Sequence, residues 1–353
     1  MPIQYFDIRK WNEQPWFSTG GTRDKKYVQG SDSEFYYFKT SLHKTNKDYK
    51  YEFWSEVMAS QIGLMYGFNM LEYHVAYDGS KVGCISKSMF TPNDEELNEG
   101  GKYIQAYLPS FDPSLKEYRK LYSFQLIEKT LQHFKYDKYI DNIIEIIVFD
   151  ALIGNSDRHQ ENWAFITKLT ILSNSIAQIG IRAKNKEIDI SSSFINRWFR
   201  KMYLNKEAND LNIDAKSMRL HLNKDPLFSP IYDSGSSLGR EWVELKVESM
   251  LHNHQELEAY INRGESEIHW NNEKVKFFKM IEYLSQDKHA SKLQSVLKRL
   301  KEKHNVDSIK NILLHIDDCV PPELQWCKMP LNRKELLIKM VTLRFEKLML
   351  YLA

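Results

Sequence analysis

At 353 residues, 42% hydrophobic and 27% charged, the chain has the composition of a soluble globular protein, with length for a two-lobed module and a sizeable core. A net charge of +2 offers nothing to a general nucleic-acid partner, and three cysteines without a C-x-x-C pair suggest neither a disulfide framework nor a zinc site. No basic segment precedes an apolar core at the N-terminus and no run reaches the ~18 apolar residues of a membrane span, so a cytoplasmic protein without membrane contact is expected, with signal-independent secretion left open.

Trp16 to Val28 reads as an aromatic entry, a small-residue turn and an exit with strand character. Gly20 and Gly21 in that turn let backbone N–H groups approach phosphate oxygens, although a Gly-Gly turn between strands is ordinarily a plain hairpin. The β-prone run Glu34 to Thr40 comes next, with Lys39 near its end. A lysine on a central strand behind a glycine loop can reach nucleotide phosphates. Helical spacing from Tyr51 predicts a helix that stops at Gly63. Glu52 and Glu56 lie one turn apart on one face of it, and periodicity does not choose which of them holds Lys39. A hairpin is predicted around Asp78-Gly79, and the stretch from Thr91 to Glu96 is polar.

Beyond that stretch the chain turns helical: Leu115 to Phe134, Lys138 to Ile153, much of the chain from Glu241 onward, and an amphipathic tail from Arg333 to Leu352. The span from Ile166 to Phe228 is too long for a plain connection and should carry elements of its own, among them an amphipathic helix from Ser193 to Met202. Just before that span lies the densest chemistry. An apolar run ends at Gly154 and gives way to the loop Asn155-Ser156-Asp157-Arg158-His159-Gln160-Glu161-Asn162. Phosphoryl transfer needs a carboxylate beside the attacking hydroxyl and a neutral oxygen ligand for magnesium nearby, spaced D-x-x-x-x-N in protein kinases. Asp157 and Asn162 have that spacing. Asp233, ahead of Ser234-Gly235-Ser236, stands where a second metal-binding carboxylate is required. Either element alone is a weak signal, because an Asp in a loop is usually a turn or cap residue. His159 comes after the Asp instead of preceding it, which points to a structural role in bonding the loop backbone or Asp233.

Together, IGNSDRHQENW and SPIYDSGSSLGRE resemble the HipA-like C-terminal kinase domain, the family of the HipA and HipT toxins and the stand-alone CtkA-type kinases. The resemblance covers most of the chain and implies an α+β, two-lobed protein-kinase-like fold, with a β-rich N-lobe over 1–90 and a helical C-lobe over 91–353 that carries a long insertion near 166–228. It implies ATP and Mg2+ as cofactors. The family's loop reads S-x-x-G-x-x-x-K, which Ser18, Gly21 and Lys25 match, and it carries HipA's autophosphorylated serine over to Ser18. A phosphate there would compete with those of the nucleotide. The family's spacing from its glutamate to Gly-Leu favours Glu52 as the partner of Lys39, with the other glutamate solvated. Segment 86–90 is implied as the hinge between lobes.

The reading is therefore a serine/threonine kinase acting on a protein hydroxyl, with Asp157 as base, Asn162 and Asp233 as metal ligands, and Ser18, Gly20, Gly21, Lys25, Lys39, Glu52 and His159 around the nucleotide. An antitoxin is a partner the resemblance implies. Only Met1 to Phe17 precede the loop, leaving no room for HipA's additional N-terminal subdomain and placing the chain nearer the compact members. A lipid or small-molecule kinase, which shares D-R-H-x-x-N, and a non-catalytic pseudokinase module are the alternatives.

Overall fold

A computed structural model describes residues 2–14, 25–44, 47–92, 95–112, 115–168 and 226–353. Ser18, Gly20 and Gly21 of the expected glycine loop, and the expected helix over 193–202, lie outside the described residues.

The N-terminal part is a six-stranded sheet. It contains β1 (Tyr5–Asp7), β2 (Asn12–Glu13), β3 (Lys25–Gln29) and β4 (Phe35–Thr40). A small hairpin, β5 (His43–Lys44) and β6 (Lys47–Asp48), leads to helix α1 (Glu52–Tyr66), and β7 (His74–Tyr77) and β8 (Val82–Lys87) complete the sheet in the order β1-β7-β8-β4-β3-β2. Strand β1 runs parallel to β7, and the other pairings are antiparallel. Alternation along β4 sends Phe38 to an outer cluster with Ile8, Val28, Ala76 and Ile85. Lys39 therefore faces the opposite side, where α1 packs on β4 and β8. The expected hairpin is present between β7 and β8, its turn held by Asp78, which accepts the N–H groups of Ser80 (2.9 Å) and Lys81 (2.8 Å).

Helix α1 does not stop at Gly63. It runs one turn further and ends at Gly67, whose N–H bonds to the Leu64 carbonyl (3.0 Å). Gly63 is a packing residue: a Cβ there would lie 2.4 Å from the Met70 sulfur.

The helical part comprises α2 (Gly100–Tyr107), α3 (Lys116–Arg119), α4 (Phe124–His133) and α5 (Ile140–Ile153). After the site residues come α6 (Glu244–His252), α7 (His254–Arg263), α8 (Phe277–Ser285), α9 (Ala290–Lys303), α10 (Val306–Leu314) and α11 (Leu331–Met349). Helix α5 is apolar nearly all round because it is the central one, packed by α8, α9 and α11. On α11, Leu337, Val341, Phe345 and Leu348 are buried, the stripe its sequence predicts. Among the described residues no helix is long and apolar enough to cross a membrane.

Sheet and helices fall in one unit (Met1–Met89, Glu99–Ala164, Phe228–Ala353), while Phe90–Asn98 and Phe165–Leu227 form the second. The first unit is knit across the expected boundary by α1, which packs on α9 and α10 and whose Trp54 donates its indole N–H to the Cys327 carbonyl (2.7 Å). The second unit includes most of the short strands β9 (Glu95–Glu99), β10 (Ala164–Lys168) and β11 (Leu227–Phe228).

Candidate active site

Lys39 is buried and its ammonium is shared by two carboxylates: it donates to Glu56 Oε1 and, at 2.6 Å, to Asp233 Oδ1. Strand β4 supplies the lysine, across the ladder from Lys25 of β3 and Cys84 of β8. The second turn of α1 supplies Glu56. The other Glu56 oxygen accepts the Ser234 N–H at 2.7 Å, so α1 holds both the lysine and the backbone beside Asp233. Gly235 has no room for a side chain, since a Cβ would come 2.9 Å from Glu56 Oε1. Burial pushes the Glu56 carboxyl above the usual carboxylate range; Lys39 opposes this and the like charge of Asp233 adds to it. Asp233 sits at φ +52, a left-handed backbone a non-glycine adopts only when its surroundings hold it. Its N–H faces the hydroxyl of buried Tyr73 at 3.4 Å.

The loop from 154 to 162 starts where α5 ends. Gly154 takes the left-handed conformation (φ +73) that closes the helix, and its N–H returns to the Asp150 carbonyl. Arg158 then turns inward and is almost fully buried. Its guanidinium pairs with Asp150 of α5, with Nε–Oδ2 at 3.0 Å and Nη2–Oδ1 at 2.9 Å. One further nitrogen, Nη1, donates to the carbonyls of Asn162 (3.0 Å) and Tyr232 (2.5 Å), and Nη2 reaches the Ser234 hydroxyl (3.2 Å). A single side chain thus draws the 157–162 loop and the 232–234 segment together. Burial pushes the Asp150 carboxyl above its ordinary value, with Arg158 and Asn155 opposing; burial would lower Arg158, but Asp150 prevails and holds it above the ordinary arginine range.

Asp157, Asn162 and Asp233 all belong to this connected network. The Asn162 amide N–H donates to the Asp157 carbonyl (2.7 Å), and the Ser236 hydroxyl donates to Asp157 Oδ2 (3.0 Å). His159 is partly exposed and its Nδ1 accepts the Glu161 N–H (3.3 Å), a bond to the loop backbone and not to Asp233.

One expectation is overturned. Glu56, not Glu52, pairs with Lys39, and neither glutamate is solvated. Glu52 lies in the first turn of α1, toward the end of β4, where it binds Arg240 and accepts the Leu42 N–H at 2.9 Å. One helical turn separates the two, and that turn brings Glu56 level with Lys39 and Ser234. Three residues with central positions carried no expected role: Asp150, Arg158 and Ser236. The signal for the first two was an acid in an apolar helix one turn before its end, with an arginine in the next loop.

Protein-family models return no match to the sequence, and curated proteins return none. Among solved structures, the proinflammatory kinase CtkA of Helicobacter pylori is similar with a TM-score of 0.67 at 19% identity, over 98% of this chain and 95% of that one. The complex of Shewanella oneidensis MR-1 HipA with HipB and operator DNA gives a TM-score of 0.42 at 10% identity, over 97% of this chain and 66% of that one. The chain has the α+β, two-lobed fold of the kinase CtkA.

Proposed function

We propose that the protein is an ATP-dependent serine/threonine protein kinase of the HipA-like type. The observation that carries this reading is the Arg158 clamp, which gathers the loop of Asp157 and Asn162 and the segment of Asp233 beside a buried Lys39–Glu56 pair. Lys39, fixed by Glu56, binds nucleotide phosphate oxygens. Asp157 accepts the proton of the acceptor hydroxyl as that oxygen forms its bond to the γ-phosphorus and ADP departs. The Asn162 amide oxygen and the Asp233 carboxylate are hard oxygen donors of the kind magnesium takes, and no three His, Cys, Asp or Glu side chains among the described residues form a cage of their own. Such a pair suits an ion whose coordination phosphates and water complete. Magnesium, when bound, neutralises the charge on the phosphates. Ser18 and Lys25 belong to the loop proposed to cover them, with Ser18 an autophosphorylation site.

Incubation with γ-labelled ATP and magnesium, beside Asp157→Ala and Asp233→Ala, tests the reading. Label should pass to serine or threonine of a protein, Ser18 included, and both variants should lose it. Absence of transfer and of ATP turnover by the unaltered protein overturns the kinase assignment. Label on phosphoinositide vesicles and on no protein replaces the protein acceptor with a lipid.

A further inference from the structure

Ser236 lies three positions beyond Asp233, and nothing in the proposed chemistry so far uses it. It is 7% exposed, and its hydroxyl donates to the Asp157 carboxylate at 3.0 Å. Its backbone is aligned with the same loop: the Ser236 carbonyl faces the Ser156 N–H (3.4 Å), and two residues on the Leu238 N–H bonds to the Ile153 carbonyl (3.1 Å). The neighbouring Ser237 hydroxyl returns to the Ser234 carbonyl (2.6 Å) and tightens the turn. The segment that begins with a proposed metal ligand therefore runs back along the catalytic loop and ends one hydroxyl against the proposed base.

We infer that Ser236 is a positioning residue for phosphoryl transfer: its O–H fixes Oδ2 of Asp157 and leaves Oδ1 to take the acceptor proton. This rests on the kinase reading and deepens it. A hydroxyl suits the task because it orients a carboxylate without bringing a cation that would hold the proton-accepting oxygen too. The same contact also resembles an acceptor poised at its base. That alternative is disfavoured, because Ser236 is buried on a pinned backbone, and a phosphate of about −2 charge would be left against the Asp157 carboxylate.

The test compares Ser236→Ala, Ser236→Cys and Ser236→Thr, and Ser236→Ala in an Asp157→Asn background, by steady-state kcat and KM for ATP with thermal melting alongside. Ala should lower kcat ~10- to 100-fold with KM within ~2-fold, the scale expected when a reacting group is misplaced by an ångström. Cys, a weak donor of similar size, should fall between Ala and the unaltered protein, and Thr should restore most of kcat. In the Asp157→Asn background the Ala change should add little, since the two residues act as a unit. Unchanged kcat in Ser236→Ala overturns the inference alone. So do a Thr variant as slow as Ala at equal melting temperature, additive losses, or phosphate found on Ser236 by mass spectrometry. An unaltered protein that transfers no phosphate removes the kinase reading and this inference with it.

Discussion

Arg158 and Asp150 form a buried ion pair between the 154–162 loop and the helix behind it, with Nη2–Oδ1 at 2.9 Å, and the same guanidinium holds the carbonyls of Asn162 and Tyr232. Removing one partner strands a charge in the core at a cost of about 3–5 kcal/mol. Arg158→Ala and Asp150→Ala are each expected to lower the unfolding free energy by that much in urea titrations. Arg158→Lys should lose most of it too, because an ammonium cannot reproduce the planar fork. The joint replacement Arg158→Met with Asp150→Leu should recover stability without recovering turnover. Turnover at the original rate in the apolar pair would show that the clamp does not position the site.

The two glutamates of α1 separate on function. Glu56 holds Lys39 and the Ser234 N–H, whereas Glu52 holds Arg240 and the Leu42 N–H. Glu56→Gln should cut ATP turnover ~100-fold or more, the scale of losing a preorganised electrostatic group. Glu52→Gln should cost about 1–3 kcal/mol of stability from the weakened contact between this buried carboxylate and the half-buried Arg240, with turnover nearly kept. A reversed ranking in side-by-side assays would return the lysine's partner to Glu52.

That pair also shows what sequence can and cannot carry. The stretches around Asp157, Asn162 and Asp233 carried a resemblance that implied an α+β, two-lobed fold, and the structure has that fold. Glu52 and Glu56 share a face and differ by one turn, so only the depth at which α1 docks on β4 separates them, and docking depth is a tertiary property. The predicted stop at Gly63 fails for a related reason: the missing side chain makes room for Met70, a contact remote from any capping rule. Arg158 stood inside a recognised motif but had no legible role, since its four partners come from three separate stretches. The tail helix was legible as a stripe, although Arg333 and Arg344 on it are buried as well, bonded to carbonyls that no periodicity announces.

Asp78 ties the β7–β8 turn to β3, where its carboxylate binds Lys26 at 2.7 Å. Burial alone would raise its pKa, but Lys26, the N–H groups of Lys81 and Ser80 and the Ser80 hydroxyl prevail and lower it to about 2. A carboxyl depressed in the folded state contributes stability above its ordinary value, 3.8, that is lost as the pH falls toward 2. The urea midpoint of Asp78→Asn should therefore lie below that of the unaltered protein at neutral pH, and the gap should narrow as the pH falls through 3.8 toward 2. A gap constant over that range would mean the turn draws nothing from the charge.

Arg344 presents the opposite case, a buried cation without a carboxylate in hydrogen-bond contact among the described residues. Its Nη1 donates to the Ala151 carbonyl at the end of α5 (3.0 Å), its guanidinium lies over the Phe277 ring, and Nε has no hydrogen-bond partner among the described residues. Burial lowers its pKa to about 10 from 12.5, with Tyr260 and Glu241 opposing. In the unfolded chain the guanidinium keeps its proton to the higher value, so at neutral pH the folded state bears a penalty of about 3 kcal/mol, relieved only above pH 10. Against this stands a favourable cation at a helix C-terminus, worth about 0.3–2 kcal/mol, next to the Gly154 turn that opens the 154–162 loop. The penalty is the larger of the two. Arg344→Met, which keeps the volume and removes the charge, should be neutral or raise the unfolding free energy by about 1–3 kcal/mol at neutral pH. Because the same change frees the Ala151 carbonyl just ahead of the loop, turnover should fall even as stability holds. A loss of stability beyond about 2 kcal/mol, the upper end for a cation at a helix C-terminus, would mean that the bond to Ala151 outweighs desolvation, and the ranking of the two effects would have to be inverted.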